Sequence, residues 1–188
     1  MAFTIIEEFL HGIKVIQPDV FGDDRGFFLE SYNLESFSKL GIPDTFYQDN
    51  HSRSAKGVLR GLHFQWDKPM GKLIRVVRGS IMLVEVDIRP NSPTCGNHIT
   101  KVLSEENKLM VWIPPGFANG FLVTSDTADV QYKCSAVYNP SCESGIRWND
   151  PALGIDWGIE SPVLSSKDAN AQSLAEWLQK PEAKLFTM

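Results

Sequence analysis

The stretch Gly57-Val-Leu-Arg-Gly-Leu-His63-Phe-Gln65 holds a side chain able to move a proton near neutral pH. An imidazole has an unperturbed pKa of about 6.5, so His63 is a candidate general base; a structural role, satisfied by neighbouring polar groups, is the plainer reading of a lone strand histidine. Strict alternation along a strand puts Arg60 and His63 on opposite faces. Gly61 between them marks a bulge that re-aims both towards one cavity. Downstream, alternation groups Val130, Tyr132, Cys134, Ala136 and Tyr138 on one face. That parity sends Tyr132 and Tyr138 inward, where a phenol needs a backbone carbonyl or a ligand for its hydroxyl. Lys72 opens the run Lys72-Leu-Ile-Arg-Val-Val-Arg78, and a strand-opening lysine ordinarily keeps its ammonium in water at the rim. Arg25, after Asp23-Asp24, fits a loop-to-strand junction or, through its five donors, a phosphate.

Other chemistries lack their residues. The four histidines, His11, His51, His63 and His98, are scattered with none at i, i+2, which argues against a catalytic metal. There is no glycine-rich phosphate loop ahead of a helix and no GxSxG elbow. The three cysteines, Cys95, Cys134 and Cys142, form an odd set without CxxC spacing, so reduced thiols and a cytoplasmic setting are expected. With 18 basic residues against 23 acidic ones the formal charge is -5, which leaves no basic footprint for nucleic acid or an anionic membrane. An anionic ligand must be held by a few local cations. The start, MAFTIIEEFLHG, has early acids and no basic leader, and no apolar run is long enough to span a bilayer.

The elements that must position these residues are mostly strands. Short apolar or alternating runs separated by turn residues cover 12–17, 27–32, 45–52, 57–64, 72–78, 80–88, 98–103, 108–113, 120–124 and 129–137. The runs on either side of Gly79 look like a tight hairpin, because glycine accepts the positive φ of such turns. Ile113-Pro-Pro-Gly116-Phe reads as a β-turn entering a strand. Asn33 is placed to cap a short helix over 34–40, stopped by Gly41 and Pro43, and a second helix over 173–179 carries Leu174, Trp177 and Leu178 at helical spacing. Both read as peripheral, with Trp157 and Trp177 tying the tail to the body. In 188 residues, 43% hydrophobic, about ten strands imply one all-β domain over 1–188, built as two packed sheets in a jelly roll or related barrel.

Taken together, the segments Asp23-Asp-Arg-Gly-Phe-Phe28, Gln48-Asp-Asn50, Leu59-Arg-Gly-Leu-His-Phe-Gln65, Pro69-Met-Gly-Lys-Leu-Ile-Arg75, Pro115-Gly-Phe-Ala-Asn-Gly-Phe121, Tyr132-Lys-Cys134, Gly145-Ile-Arg-Trp148 and Leu164-Ser-Ser-Lys-Asp168 resemble the dTDP-4-dehydrorhamnose 3,5-epimerase family almost end to end. Their order and spacing carry the resemblance. It implies a cupin-type jelly roll, a homodimer, and neither cofactor nor metal. The activity it implies is epimerisation at C3 and C5 of dTDP-4-keto-6-deoxy-D-glucose, by proton abstraction beside the C4 ketone, on the way to dTDP-L-rhamnose.

By that resemblance His63 is the base, Asp168 its dyad partner, Lys72 the cation at the enolate oxygen, and Tyr132 the proton donor on the opposite face. Arg25, Arg60 and Lys167 join the polar and phosphate contacts, with Glu30, Gln48, Asn50 and Glu143 as further substrate contacts, and Tyr138 stacks on the thymine. The family motif commonly reads Phe-Ala-His-Gly-Phe, whereas Asn119 stands here and takes up no proton near neutral pH. That departure keeps open a single-centre epimerase acting at C3 or C5 of a related sugar nucleotide. A non-catalytic sugar-binding jelly roll is the third reading, and the set His63, Lys72, Tyr132 and Asp168 argues against it.

Overall fold

The computed structural model describes residues 2–42 and 45–186. Within them the strands are β1 (Phe3–Phe9), β2 (Ile13–Pro18), β3 (Val20–Asp23), β4 (Gly26–Leu29), β5 (Gln48–Ala55), β6 (Leu59–Gln65), β7 (Lys72–Arg78), β8 (Ser80–Asp87), β9 (His98–Ser104), β10 (Met110–Ile113), β11 (Phe117–Val123), β12 (Thr127–Cys134) and β13 (Glu143–Gly145). Helix α1 (Leu34–Lys39) follows β4, and α2 (Ser166–Ala169), α3 (Leu174–Leu178) and a 3-10 turn (Pro181–Leu185) end the chain. None of the described helices is long and apolar enough to cross a membrane.

The strands form a six-stranded sheet in the order β1-β2-β10-β7-β12-β5, a five-stranded sheet in the order β13-β6-β11-β8-β9, and a separate ribbon of β3 with β4. Neighbours within the two large sheets are antiparallel, as the all-β, cupin-like jelly roll requires. Alternation puts one side of each strand between the sheets, where Val15, Ile74, Val76, Ile81, Leu83, Val111, Phe121, Val123 and Val130 form the inner core. Fully burying each such side chain stabilises the fold by about 1.5–3 kcal/mol.

Apolar outer faces explain the helices. Phe37 of α1 and Ile42 cover Ile16, Leu73, Met110 and Trp112 of the six-stranded sheet. Trp157, Leu174, Trp177 and Phe186 of the tail cover Phe64, Val84 and Val86 of the five-stranded one. Asn33 caps α1 through a bond from Ser36 N, and Ser173 with Glu176 forms a capping box on α3. Pro43, expected to stop α1, lies outside the described residues.

Three expectations change. The runs around Gly79 are not a hairpin: β7 pairs with β10 and β12, and β8 with β11 and β9, so the chain steps from one sheet to the other. A single residue is too short for a two-residue hairpin turn, and the inward residues Ile74, Val76, Ile81 and Leu83 instead join one core from opposite sheets. Gly79 takes φ +73, and a Cβ there would lie 2.0 Å from Thr127 O. Second, β12 ends at Cys134, so alternation no longer governs Tyr138, which is 47% exposed rather than inward. Third, β4 ends at Leu29 and leaves Phe27 and Phe28 exposed on the ribbon.

Candidate active site

Towards one end of the space between the sheets, the inward positions change from apolar to polar. On β7 Lys72 precedes Ile74, on β11 Asn119 precedes Phe121, on β8 Glu85 follows Leu83, and on β12 Tyr132 follows Val130. A cavity of about 230 Å³ opens there, lined by Arg60, His63, Lys72, Asn119, Tyr132 and Glu143 among others. A cavity of the same volume on the outer side of the six-stranded sheet, bordered by Ser31, His51, Arg75 and Lys133, lacks the His63–Asp168 pair.

The bulge expected at Gly61 is present. His63 sits opposite Asn119 and Arg60 opposite Phe121, so three steps along β6 match two along β11. Gly61 takes φ +134 and its position leaves no room for a side chain, since a Cβ would lie 2.5 Å from Gly120 Cα. The irregularity turns both Arg60 and His63 into the cavity.

His63 Nε2 lies 2.5 Å from Asp168 Oδ1. Because a carboxylate accepts, the ring donates its Nε2–H there and keeps its lone pair on Nδ1. Asp168 rides on α2, a single turn capped by Ser165, whose hydroxyl accepts from Asp168 N and donates to Oδ2 at 2.9 Å. Burial pushes the Asp168 carboxyl up, but the bonds and charge of His63, with Ser165 and Lys167, outweigh it and hold the group below the usual value.

Lys72 does not reach out to water at the rim. Its ammonium turns inward, donating to Asn119 Oδ1 at 3.1 Å and standing 5.8 Å from the centre of the Tyr132 ring. Burial drives the ammonium towards its neutral form, and the charge of Glu85 opposes that. Tyr132 faces the cavity as its parity required; burial raises its phenol, which therefore stays protonated and able to donate. Next to it Asn50 donates to Cys134 Sγ at 3.5 Å, and burial pushes that thiol up to about 11.

The other expected contacts divide into two groups. Gln48 donates to Asn50 Oδ1 at 2.9 Å and accepts from Tyr138 N at 2.9 Å, Tyr138 OH donates to Glu143 at 2.6 Å, and Lys167 pairs with Glu143. Burial raises the Glu143 carboxyl, but Lys167 and Tyr138 bring it below its usual value. Arg60 donates to Ser54 Oγ at 3.1 Å beside the cavity. Arg25 and Glu30 are not brought to this site: Arg25 pairs with Asp23 on the exposed ribbon, and Glu30 accepts from Asn33 at 3.3 Å. Ser165 and Glu85 fall outside the sequence-based expectations. A serine three residues before Asp168 and a lone acid at an inward position of Ser80–Asp87 are the signals for them. No group of three or more potential metal ligands occurs among the described residues.

Residues 7–176 match the family model for dTDP-4-dehydrorhamnose 3,5-epimerase. The protein of that name from Methanothermobacter thermautotrophicus is 48% identical over 177 residues, covering 93% of this chain and 96% of its own. A dTDP-4-dehydrorhamnose 3-epimerase from Streptomyces niveus is 38% identical, covering 89% and 82%. Among solved structures, the 3,5-epimerase of Legionella pneumophila in complex with dTDP-4-keto-L-rhamnose superposes with a TM-score of 0.91 at 48% identity, covering 96% of each chain. With a family match over most of its length and relatives at this identity, the chain belongs to the dTDP-4-dehydrorhamnose 3,5-epimerase family.

Proposed function

We propose that the protein inverts C3 and C5 of dTDP-4-keto-6-deoxy-D-glucose to give dTDP-4-keto-L-rhamnose, as a single catalytic domain. The observation that carries the reading is that base and acid come from opposite sheets across one cavity: His63 from β6 and Tyr132 from β12. A ketone at C4 acidifies the hydrogens at C3 and C5. His63 Nδ1 takes one of them as a proton, the C–H electron pair enters the enolate, and negative charge collects on O4. Lys72 meets that charge, a preorganised interaction that lowers a barrier by several kcal/mol. Tyr132 then returns a proton to the same carbon from the other face, which inverts it. Asp168 holds the imidazole tautomer and stabilises the imidazolium. Exchange with solvent resets acid and base for the second centre.

Arg60 at the cavity and Lys167, paired with Glu143, supply cations for the diphosphate, Asn50 and Glu143 line the approach with Gln48 bonded to Asn50 behind them, and Tyr138 offers an exposed ring for the base. Arg25 and Glu30 fit the same role only in a homodimer. The β3–β4 ribbon pairs with neither large sheet and exposes Val20, Phe21, Phe27 and Phe28, an apolar surface that a second copy would cover. Light scattering should then give twice the chain mass, and a monomer at micromolar concentration would remove Arg25 and Glu30 from the site. Three free thiols support a reducing, cytoplasmic setting.

The test is deuterium entry in D2O followed by NMR, without a coupled reductase. Label at C3 and C5 with the L-sugar product is expected. Because Asn119 touches Lys72, a single-centre epimerase is the second reading, and label at one centre would establish it. No exchange on this or related 4-keto sugars would leave the binding-module reading.

A further inference from the structure

Behind the cavity lies a carboxyl group that the reaction as written leaves unused. Glu85 is fully buried on β8, in parity with Ile81 and Leu83 of the inner core. Its Oε1 accepts from Asn119 Nδ2 at 2.5 Å, while Oε2 is buried with no partner among the described residues. Asn119 Oδ1 in turn accepts from Lys72 Nζ at 3.1 Å. The carboxamide therefore spans a carboxyl and an ammonium, donor end to one and acceptor end to the other. Flipping it would set oxygen against the carboxyl and NH2 against the ammonium, so the two charged groups fix its orientation.

A buried carboxyl with an orphan oxygen is costly as a mere piece of packing, and an apolar side chain would fill the position at less cost. We propose that Glu85 is a positioning residue of the active site, the buried counter-charge of Lys72, acting through Asn119, whose acceptor oxygen it aims at the ammonium. The proposal rests on the role given above to Lys72. Desolvation works against charge on Lys72, and Glu85 is the largest opposing influence, ahead of Cys134 on β12 and Glu143 on β13; Lys167 on α2 acts in the same sense as desolvation. Burial likewise holds the Glu85 carboxyl well above the usual carboxylate range, and Lys72 and the bond from Asn119 oppose that only in part. Without Glu85 the ammonium would face His63 and Arg60 from β6, Tyr132 and Cys134 from β12, Glu143 and Lys167, with no carboxylate behind it. It would then release its proton at lower pH, and the enolate oxygen would meet a neutral amine at alkaline pH.

Glu85→Gln tests this, because it keeps the shape and a bond to Asn119 but removes the charge. In protein labelled with 13C-lysine, the Lys72 signal is assigned by its loss in Lys72→Met and titrated by NMR. The Lys72 midpoint is expected to fall by about one unit or more in Glu85→Gln. On dTDP-4-keto-6-deoxy-D-glucose, kcat should drop roughly 10- to 100-fold with KM nearly unchanged, and its alkaline limb should move acidward with the NMR midpoint. An unchanged midpoint together with an unmoved limb overturns the proposal. If the wild-type protein neither turns over nor exchanges, the functional reading fails, and the NMR midpoint still decides whether Glu85 serves Lys72. Should Glu85→Gln not fold, Glu85→Leu, which suits the apolar surroundings, gives the same decisive titration.

Discussion

The two ends of the space between the sheets are made by the same strands, yet one end is packed and the other reacts. At the packed end Val76, Ile81, Val123 and Val130 interlock; a few residues away on those strands, or on β11 and β6, stand Lys72, Glu85, Asn119, Tyr132 and His63. Parity, with the bulge at Gly61 on β6, decides that all of these point inward, and residue type decides whether the result is core or site. The lesson is that the packed end fixes the register on which the polar end depends. A slip of one residue in β7 or β12 would turn that strand's apolar set outward and withdraw the cation or the acid with it.

His63→Ala should break the reactive end most completely. Turnover is expected to fall by roughly 10³-fold or more with thermal unfolding little changed, as measured by steady-state kinetics and calorimetry on the same sample. Retained turnover would remove the imidazole from the mechanism. Tyr132→Phe should cost about 10²-fold in L-product while solvent deuterium still enters on the His63 face, so exchange outruns inversion; equal loss of both would deny the phenol its separate role.

At the packed end the effect should be reversed. Ile81→Ala is expected to lower unfolding free energy by about 2–5 kcal/mol in urea titration, with kcat per folded molecule within about twofold. A large kcat loss there would show that the two ends are not separable. The smallest effect concerns pH. Asp168 has a folded-state carboxyl lower than its unfolded one, so its stabilising contribution is full above the unfolded value of about 3.9 and is lost as pH falls through the lower, folded value. Asp168→Asn should therefore flatten the fall in urea midpoint below about pH 4. Superimposable acid limbs for the two proteins would contradict that linkage.

How much of this was legible in the sequence follows the range of each interaction. Local rules sufficed for the cap at Asn33, for the bulge at Gly61, and for the inward turn of Tyr132, since each depends on residues a few positions apart. Asp168 lies 105 positions from His63 on a helix of four residues, too short to leave a periodic signature, so family resemblance alone pointed to it. A strand-opening lysine reads locally as a rim residue, and what draws the Lys72 ammonium inward, Asn119 with Glu85 behind it, comes from the other sheet. Tyr138 escapes the alternation because parity is meaningful only as far as the strand lasts, and β12 ends at Cys134.

The step at Gly79 has a kinetic consequence. Lys72 and Glu85 are 13 positions apart, yet they reach each other only from facing sheets, and His63 and Tyr132 face each other across the same divide. Neither sheet alone holds both acid and base, so a half-assembled chain rich in strand signal is catalytically silent. In refolding from urea, recovery of deuterium exchange should lag far-UV circular dichroism, because competence arises in the step that brings the two sheets together.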